Sequence, residues 1–98
     1  MTIMKSKEIL DLVEKLELDV RGWRIVDHWE ADLCAIGVAK ASAPGRLVYV
    51  STYEKELGRY DFECEISAGE NLEDYITTET GDGVDFATLL AVMERHLC

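Results

Sequence analysis

Leu47-Val-Tyr-Val-Ser-Thr-Tyr-Glu-Lys-Glu-Leu-Gly-Arg-Tyr-Asp-Phe-Glu-Cys-Glu-Ile66 is the stretch from which the fold can be read. It has the pattern of two strands joined by a polar turn. In its second half Tyr60, Phe62, Cys64 and Ile66 alternate with Asp61, Glu63 and Glu65. Successive side chains of a strand point to opposite faces. One face of this strand is therefore apolar, and the other carries only carboxylates. The first half, from Arg46 to Tyr53, is rich in β-branched and aromatic residues, as strands are. The spacing predicts strands over 46–53 and 59–67, with a turn from Glu54 to Gly58.

Moving towards the N-terminus, residues 33–40 read as a strand that is apolar on both faces, which places it inside the sheet. Gly37 within it suggests a bulge or the close approach of a large neighbour such as Trp23 or Trp29. Residues 22–29 read as another strand, turning at 30–32, and Ala41 to Gly45, with the only proline, as a turn. Ser6 is positioned to cap a helix over 6–18, with Ile9, Leu10, Val13 and Leu16 as its apolar stripe and Leu12 a further candidate. Towards the C-terminus, residues 68–74 read as a loop. Tyr75 to Thr80 is either a fifth strand at the sheet edge or part of that loop. Gly81-Asp82-Gly83 reads as a turn. Asp85 then caps a helix over 86–97, whose stripe is Phe86, Leu89, Leu90, Met93 and Leu97. Arg95 and His96 fall in its last turn, where positive charge suits the helix dipole. The expected architecture is one α+β domain spanning 1–98. Its sheet is an antiparallel four- or five-stranded meander, with N-terminal and C-terminal helices packed on one face.

The formal charge of −10 is distributed unevenly. Residues 47–98 hold three basic and twelve acidic groups, −9 of that total. Such a field repels phosphate backbones and anionic lipid, and it steers a basic partner inward. Nucleic-acid binding, which depends on neutralising phosphates, is not expected, and neither is membrane association. No apolar run approaches the roughly 18–20 residues of a membrane span. Cys34, Cys64 and Cys98 form no C-x-x-C motif and cannot all pair internally. Together with a start that lacks a signal-like apolar core, they point to a reducing, cytoplasmic setting.

Asp61, Glu63 and Glu65 stand roughly 6.5–7 Å apart along one strand face, a spacing that suits a row of Arg or Lys on a partner. Glu54 and Glu56 in the adjoining turn extend the row, and Trp29, beside Glu30 and Asp32, is a candidate aromatic anchor. A solvated, aggregation-resistant surface would account for the same carboxylates. Ligands strung along one strand do not converge on an ion, so no metal is expected there. A second acidic group, Glu70, Glu73, Asp74, Glu79, Asp82 and Asp85, lacks the calcium-loop pattern. Asp27 and His28 are adjacent, but strand neighbours face opposite ways, so they do not make a dyad. Ser42, Ser51 and Ser67 lack a nucleophile-elbow context, and no Gly-rich phosphate loop occurs. No catalytic residue and no cofactor site is expected, and an enzyme is the least favoured class.

Three segments, Arg24-Ile-Val-Asp-His-Trp-Glu-Ala-Asp-Leu-Cys-Ala-Ile-Gly-Val38, Leu47-Val-Tyr-Val-Ser-Thr-Tyr53 and Tyr60-Asp-Phe-Glu-Cys-Glu65, together resemble small bacterial immunity proteins of polymorphic and contact-dependent toxin systems. The resemblance implies a cytoplasmic α+β domain that binds and blocks a cognate toxin, commonly a basic nuclease. It transfers no individual binding residue. The expectation is therefore a non-enzymatic inhibitor of a basic protein, as a monomer or homodimer. The alternative is a self-associating structural or adaptor domain.

Overall fold

A computed structural model describes residues 5–26, 33–67 and 75–97. The elements run α1 (Lys7–Leu16), α2 (Leu18–Arg21), β1 (Trp23–Ile25), β2 (Ala35–Lys40), β3 (Ala43–Ser51), β4 (Tyr60–Ser67), β5 (Tyr75–Val84) and α3 (Phe86–Leu97). The five strands form one antiparallel meander in the order β1-β2-β3-β4-β5. This is the α+β architecture expected, with the fifth strand present.

The alternation in β4 decides which way the sheet faces. Tyr60, Phe62 and Cys64 are buried in a single cluster with Trp23, Ile36, Val38, Val48 and Val50 from the neighbouring strands. Ile9, Leu12 and Leu16 of α1 and Leu89, Val92, Met93 and Leu97 of α3 complete that cluster, so both helices cover the same face. In α1 the buried stripe contains Leu12, whereas Leu10 is 41% exposed. Positions 9, 12 and 16 lie on one helical face, and position 10 is turned about 100° away from position 9. The C-terminal stripe also differs from expectation. Val92 and His96 are buried, while Phe86 and Leu90 only flank the core.

Both helices have well-defined starts. The Ser6 hydroxyl accepts from the Ile9 amide at 3.4 Å, and the Asp85 carboxylate accepts from the Thr88 amide at 2.8 Å. Helix α1 ends sooner than expected because Glu17 adopts a left-handed conformation (φ 48°), after which the one-turn helix α2 leads to Gly22 (φ 72°). Arg21 closes this end: its Nε donates to the Leu16 carbonyl at 2.8 Å, and its Nη1 lies 3.1 Å from Glu94.

The strand boundaries differ from expectation at several points, and β2, expected over 33–40, covers only Ala35–Lys40. Strand β1 covers only Trp23–Ile25, and residues 27–32 lie outside the described residues. The turn expected over 41–45 shrinks to Ala41 and Ser42, since β3 starts at Ala43. Of the two expectations for Gly37, the bulge is absent, since Gly37 pairs with Tyr49 and the irregularity lies between Ala39 and Lys40, while Trp29, one of the large neighbours expected against it, lies outside the described residues.

The largest difference is in β5. Gly81-Asp82-Gly83 is not a turn but part of the strand, which runs on to Val84. Register shifts between Tyr60/Phe62 and Cys64/Glu65 each leave an extra residue on β5. Gly83 (φ 61°) provides the left-handed backbone at the first of these. At the second, the Thr78 hydroxyl donates to the Cys64 carbonyl at 3.3 Å, and His96 Nε2–H donates to the Glu65 carbonyl at 2.9 Å. The Arg46 Nε donates in turn to the His96 carbonyl at 2.9 Å. The end of α3 is thus fastened to the bulge, so His96 serves as a buried structural donor rather than an exposed charge at the helix end. Among the described residues, no helix is long and apolar enough to cross a membrane.

Candidate acidic interface on the open sheet face

Core packing on one side of β4 sends Asp61, Glu63 and Glu65 to the side that carries none of the described helices. Cross-strand partners share a face, so the register fills in the rest of that surface. Ser51 lies opposite Asp61, Tyr49 opposite Glu63 and Leu47 opposite Glu65 on β3. Thr80 lies opposite Glu63 and Thr77 opposite Glu65 on β5. Further across, Ala35, Gly37 and Ala39 of β2 pair with Ser51, Tyr49 and Leu47.

This face is covered unevenly. Ala35, Ala39 and Leu47 are fully buried although none belongs to the helix-side core. Glu63, Thr77 and Thr80 are exposed. The accessible surface is therefore the β4–β5 half, where a shallow hollow is lined by Tyr49, Ser51, Asp61, Glu63, Thr80 and Asp82.

The three carboxylates of the row are not equivalent. Asp61 is committed to the fold: its Oδ1 accepts from the Gly83 amide at 2.9 Å and lies 3.2 Å from Lys55 Nζ. The same ammonium reaches Asp82 at 2.8 Å, so Lys55 clamps the β3–β4 turn to the bulged end of β5. The hydrogen bonds from Lys55 to Asp82 and Asp61 raise the Lys55 pKa, and the bond from Lys55 holds Asp82 below the usual carboxylate range. Glu63 is exposed on the open face, and Glu65 is half-buried there. Nothing in the local sequence marks Lys55, which sits between Glu54 and Glu56, as the residue that engages Asp61. Its partners lie six and 27 positions away, and only the folded register brings them together.

The remaining candidates fall elsewhere. Glu54 occupies the β3–β4 turn with a left-handed backbone (φ 55°). Glu56 lines a separate cleft of about 450 Å³ between that turn and α1, with Asp11, Lys15, Leu57 and Tyr60 among its walls. Trp29, Asp27 and His28 lie outside the described residues, as do Glu70, Glu73 and Asp74. Glu79 pairs with Arg95 on the helix side, and Asp85 is the α3 cap, its carboxyl held low by the Thr88 amide. Burial pushes the Cys64 thiol up to about 11, so it is a core side chain and not an activated nucleophile. Among the described residues, no three His, Cys, Asp or Glu side chains are placed to hold a metal ion. The arrangement offers a flat, wet, negatively charged surface with one aromatic wall. No protein family, curated protein sequence or solved structure matches this chain.

Proposed function

We propose that the protein is a non-enzymatic binding module of the immunity or inhibitor type, neutralising a basic protein partner through the acidic half of its open sheet face. One observation carries this reading. Glu63 and Glu65 point away from both helices, beside exposed Thr77 and Thr80, on a face whose other half is already buried. The charge of −10 adds long-range steering of a cationic partner and opposes nucleic acid and anionic membrane. Asp61, Glu54 and Glu56 contribute to the field, while Glu63 and Glu65 make the contact. The resemblance to small bacterial immunity proteins supplies the kind of partner, a basic toxin domain met in the cytoplasm.

The test is calorimetry at two salt concentrations against the product of the gene adjacent to this one in its native genome. Binding that weakens with salt, and an association rate that falls in Glu63→Gln/Glu65→Gln, is expected. Salt-independent binding unaffected by that double substitution refutes the acidic-face reading. A second reading, self-association as a structural or adaptor domain, is favoured by three exposed apolar side chains. Leu10, Leu33 and Tyr53 are 41%, 53% and 63% exposed. Backbone bonds from Ser6 to Leu33 and from Thr52 to Cys34 bring their segments to one end of the sheet. Sedimentation across micromolar concentrations separates the two: a strict monomer removes the second.

A further inference from the structure

The accessible half of the open face runs directly to a sheet edge. β5 is the last strand, it spans ten residues, and it hydrogen-bonds within the sheet only to β4. Among the described residues, no other backbone bonds are made along its outer side from Ile76 to Asp82. Such an edge is a template for a further strand. Three of its six exposed residues are threonines, and two of these, Thr77 and Thr80, lie directly opposite Glu65 and Glu63 of β4.

We propose that the β5 edge accepts a short extended segment of the basic partner, with Lys or Arg at every second position. This deepens, and rests on, the acidic-face reading above. The dimensions agree. An added strand would lie two strand spacings from β4, about 9.6 Å. A lysine carries its ammonium five bonds from Cα, about 6 Å out, and a glutamate carries its carboxylate about 4 Å from its own Cα, from standard bond lengths. A basic side chain crossing Thr80 or Thr77 therefore reaches Glu63 or Glu65. Alternate residues of an added strand share a face, so a basic residue opposite Thr80 and its neighbours two positions away all face the acidic surface; the extra residue on β5 sets Thr77 three positions from Thr80, so the segment must follow that bulge for a second basic residue to reach Glu65. Main-chain pairing supplies affinity, and the charge match supplies specificity.

The bulges and charges of β5 decide between candidate occupants. A second copy of this chain would bring Glu79, Asp82 and the β4 row towards their own equivalents, adding charge of the same sign to a chain already at −10. The two extra residues on β5 also divide the edge into short regular runs, Tyr75–Thr77 and Glu79–Gly81, which suit a brief segment and discourage long sheet-to-sheet stacking.

The probe is a synthetic octapeptide of alternating Lys and Thr, compared with an octapeptide of identical composition whose four lysines are contiguous. The alternating peptide is expected to bind at least about tenfold more tightly, since only it offers a basic face together with strand pairing. It should also slow amide hydrogen exchange between Ile76 and Asp82. Equal affinity of the two peptides, or unchanged exchange in β5, overturns the strand-addition proposal. If both peptides then lose affinity in Glu63→Gln/Glu65→Gln, the acidic-face reading survives alone. If neither peptide binds, or binding ignores that substitution, both readings fall. Protection of β5 that rises with protein concentration in the absence of peptide assigns the edge to a second copy and also overturns the proposal.

Discussion

Gly81→Ala should be among the most damaging single-methyl changes in this protein. Gly81 lies opposite Phe62, and a Cβ built on it would stand 2.6 and 2.7 Å from Cζ and Cδ2 of that ring, and closer still to Cε2. Ordinary carbon–carbon contact is about 3.5–4.0 Å, so the ring must retreat by about 1.5 Å or more at Cε2. It has nowhere open to go: Phe62 is 4% exposed and belongs to the cluster shared by both helices. Overpacking a dense core costs about 1–3 kcal/mol. Restricting the unfolded chain returns about 0.4–1 kcal/mol. A net loss of about 1–2 kcal/mol corresponds to roughly 4–16 °C in Tm at this chain length. Urea unfolding followed by tryptophan fluorescence measures it directly. The cause is separable from a general strand effect by a cycle with Phe62→Leu. Removing the ring makes room for the methyl, so the double variant should be more stable than the sum of the single losses predicts, by about 0.5 kcal/mol or more. Strictly additive losses, or a Gly81→Ala protein with an unchanged midpoint, would refute the close approach.

Three further outcomes follow from the same contacts. Replacing His96 by Leu leaves the Glu65 carbonyl without its side-chain donor, at a cost of about 1–3 kcal/mol, and His96→Gln should recover part of it because it restores an N–H; equal losses in the two variants would contradict the donor role. Asp82 and Asp85 both have lowered pKa values, from the Lys55 and Thr88 hydrogen bonds respectively. Their contribution to stability is therefore present above the ordinary value of 3.8 and lost as pH falls through their folded values; the raised pKa of Lys55 means its share is present below 10.5 and lost as pH rises through its folded value. Stability measured against pH should fall at both ends, and Lys55→Met should flatten the alkaline fall. Finally, Cys64 is 1% exposed with its thiol pushed to about 11, so its labelling by a thiol reagent at neutral pH, followed with Cys34 and Cys98 replaced by serine, should track global unfolding; rapid labelling of Cys64 in the native protein would show that the core opens locally.

The sheet was legible in the sequence where one signal dominated. The alternation from Tyr60 to Ile66 and the doubly apolar run of β2 each fixed a strand and its faces, because burial enforces period two and period one respectively. The reading failed where glycine carries two meanings. Gly81-Asp82-Gly83 has turn chemistry, yet here Gly81 makes room for Phe62 and Gly83 carries a bulge, both inside a continuous strand. A similar ambiguity placed a turn over 41–45. At the candidate site the sequence identified the acid row correctly as one face, but it could not rank its members. Asp61 is drawn into the fold by Lys55 and the Gly83 amide, contacts set by register rather than by local pattern.

That ranking changes how the acidic surface should be understood. A row of three carboxylates on a strand suggests uniform cation binding along its length. The structure divides it: one end is already engaged by Lys55, which it shares with Asp82, the middle is exposed beside Tyr49 and the threonines of β5, and the other end is half-buried. A partner approaching the Asp61 end must compete with an ammonium already in place, whereas one approaching Glu63 displaces only water. Exposed charge gains little from a single ion pair, so affinity at Glu63 requires additional contacts that hold the partner's cation there. The nearest source of such contacts is the main chain of β5, one strand away. In the binding mode we propose, charge on the face and hydrogen-bonding capacity at the edge are complementary requirements of one interface. A partner that uses only one of them should bind weakly.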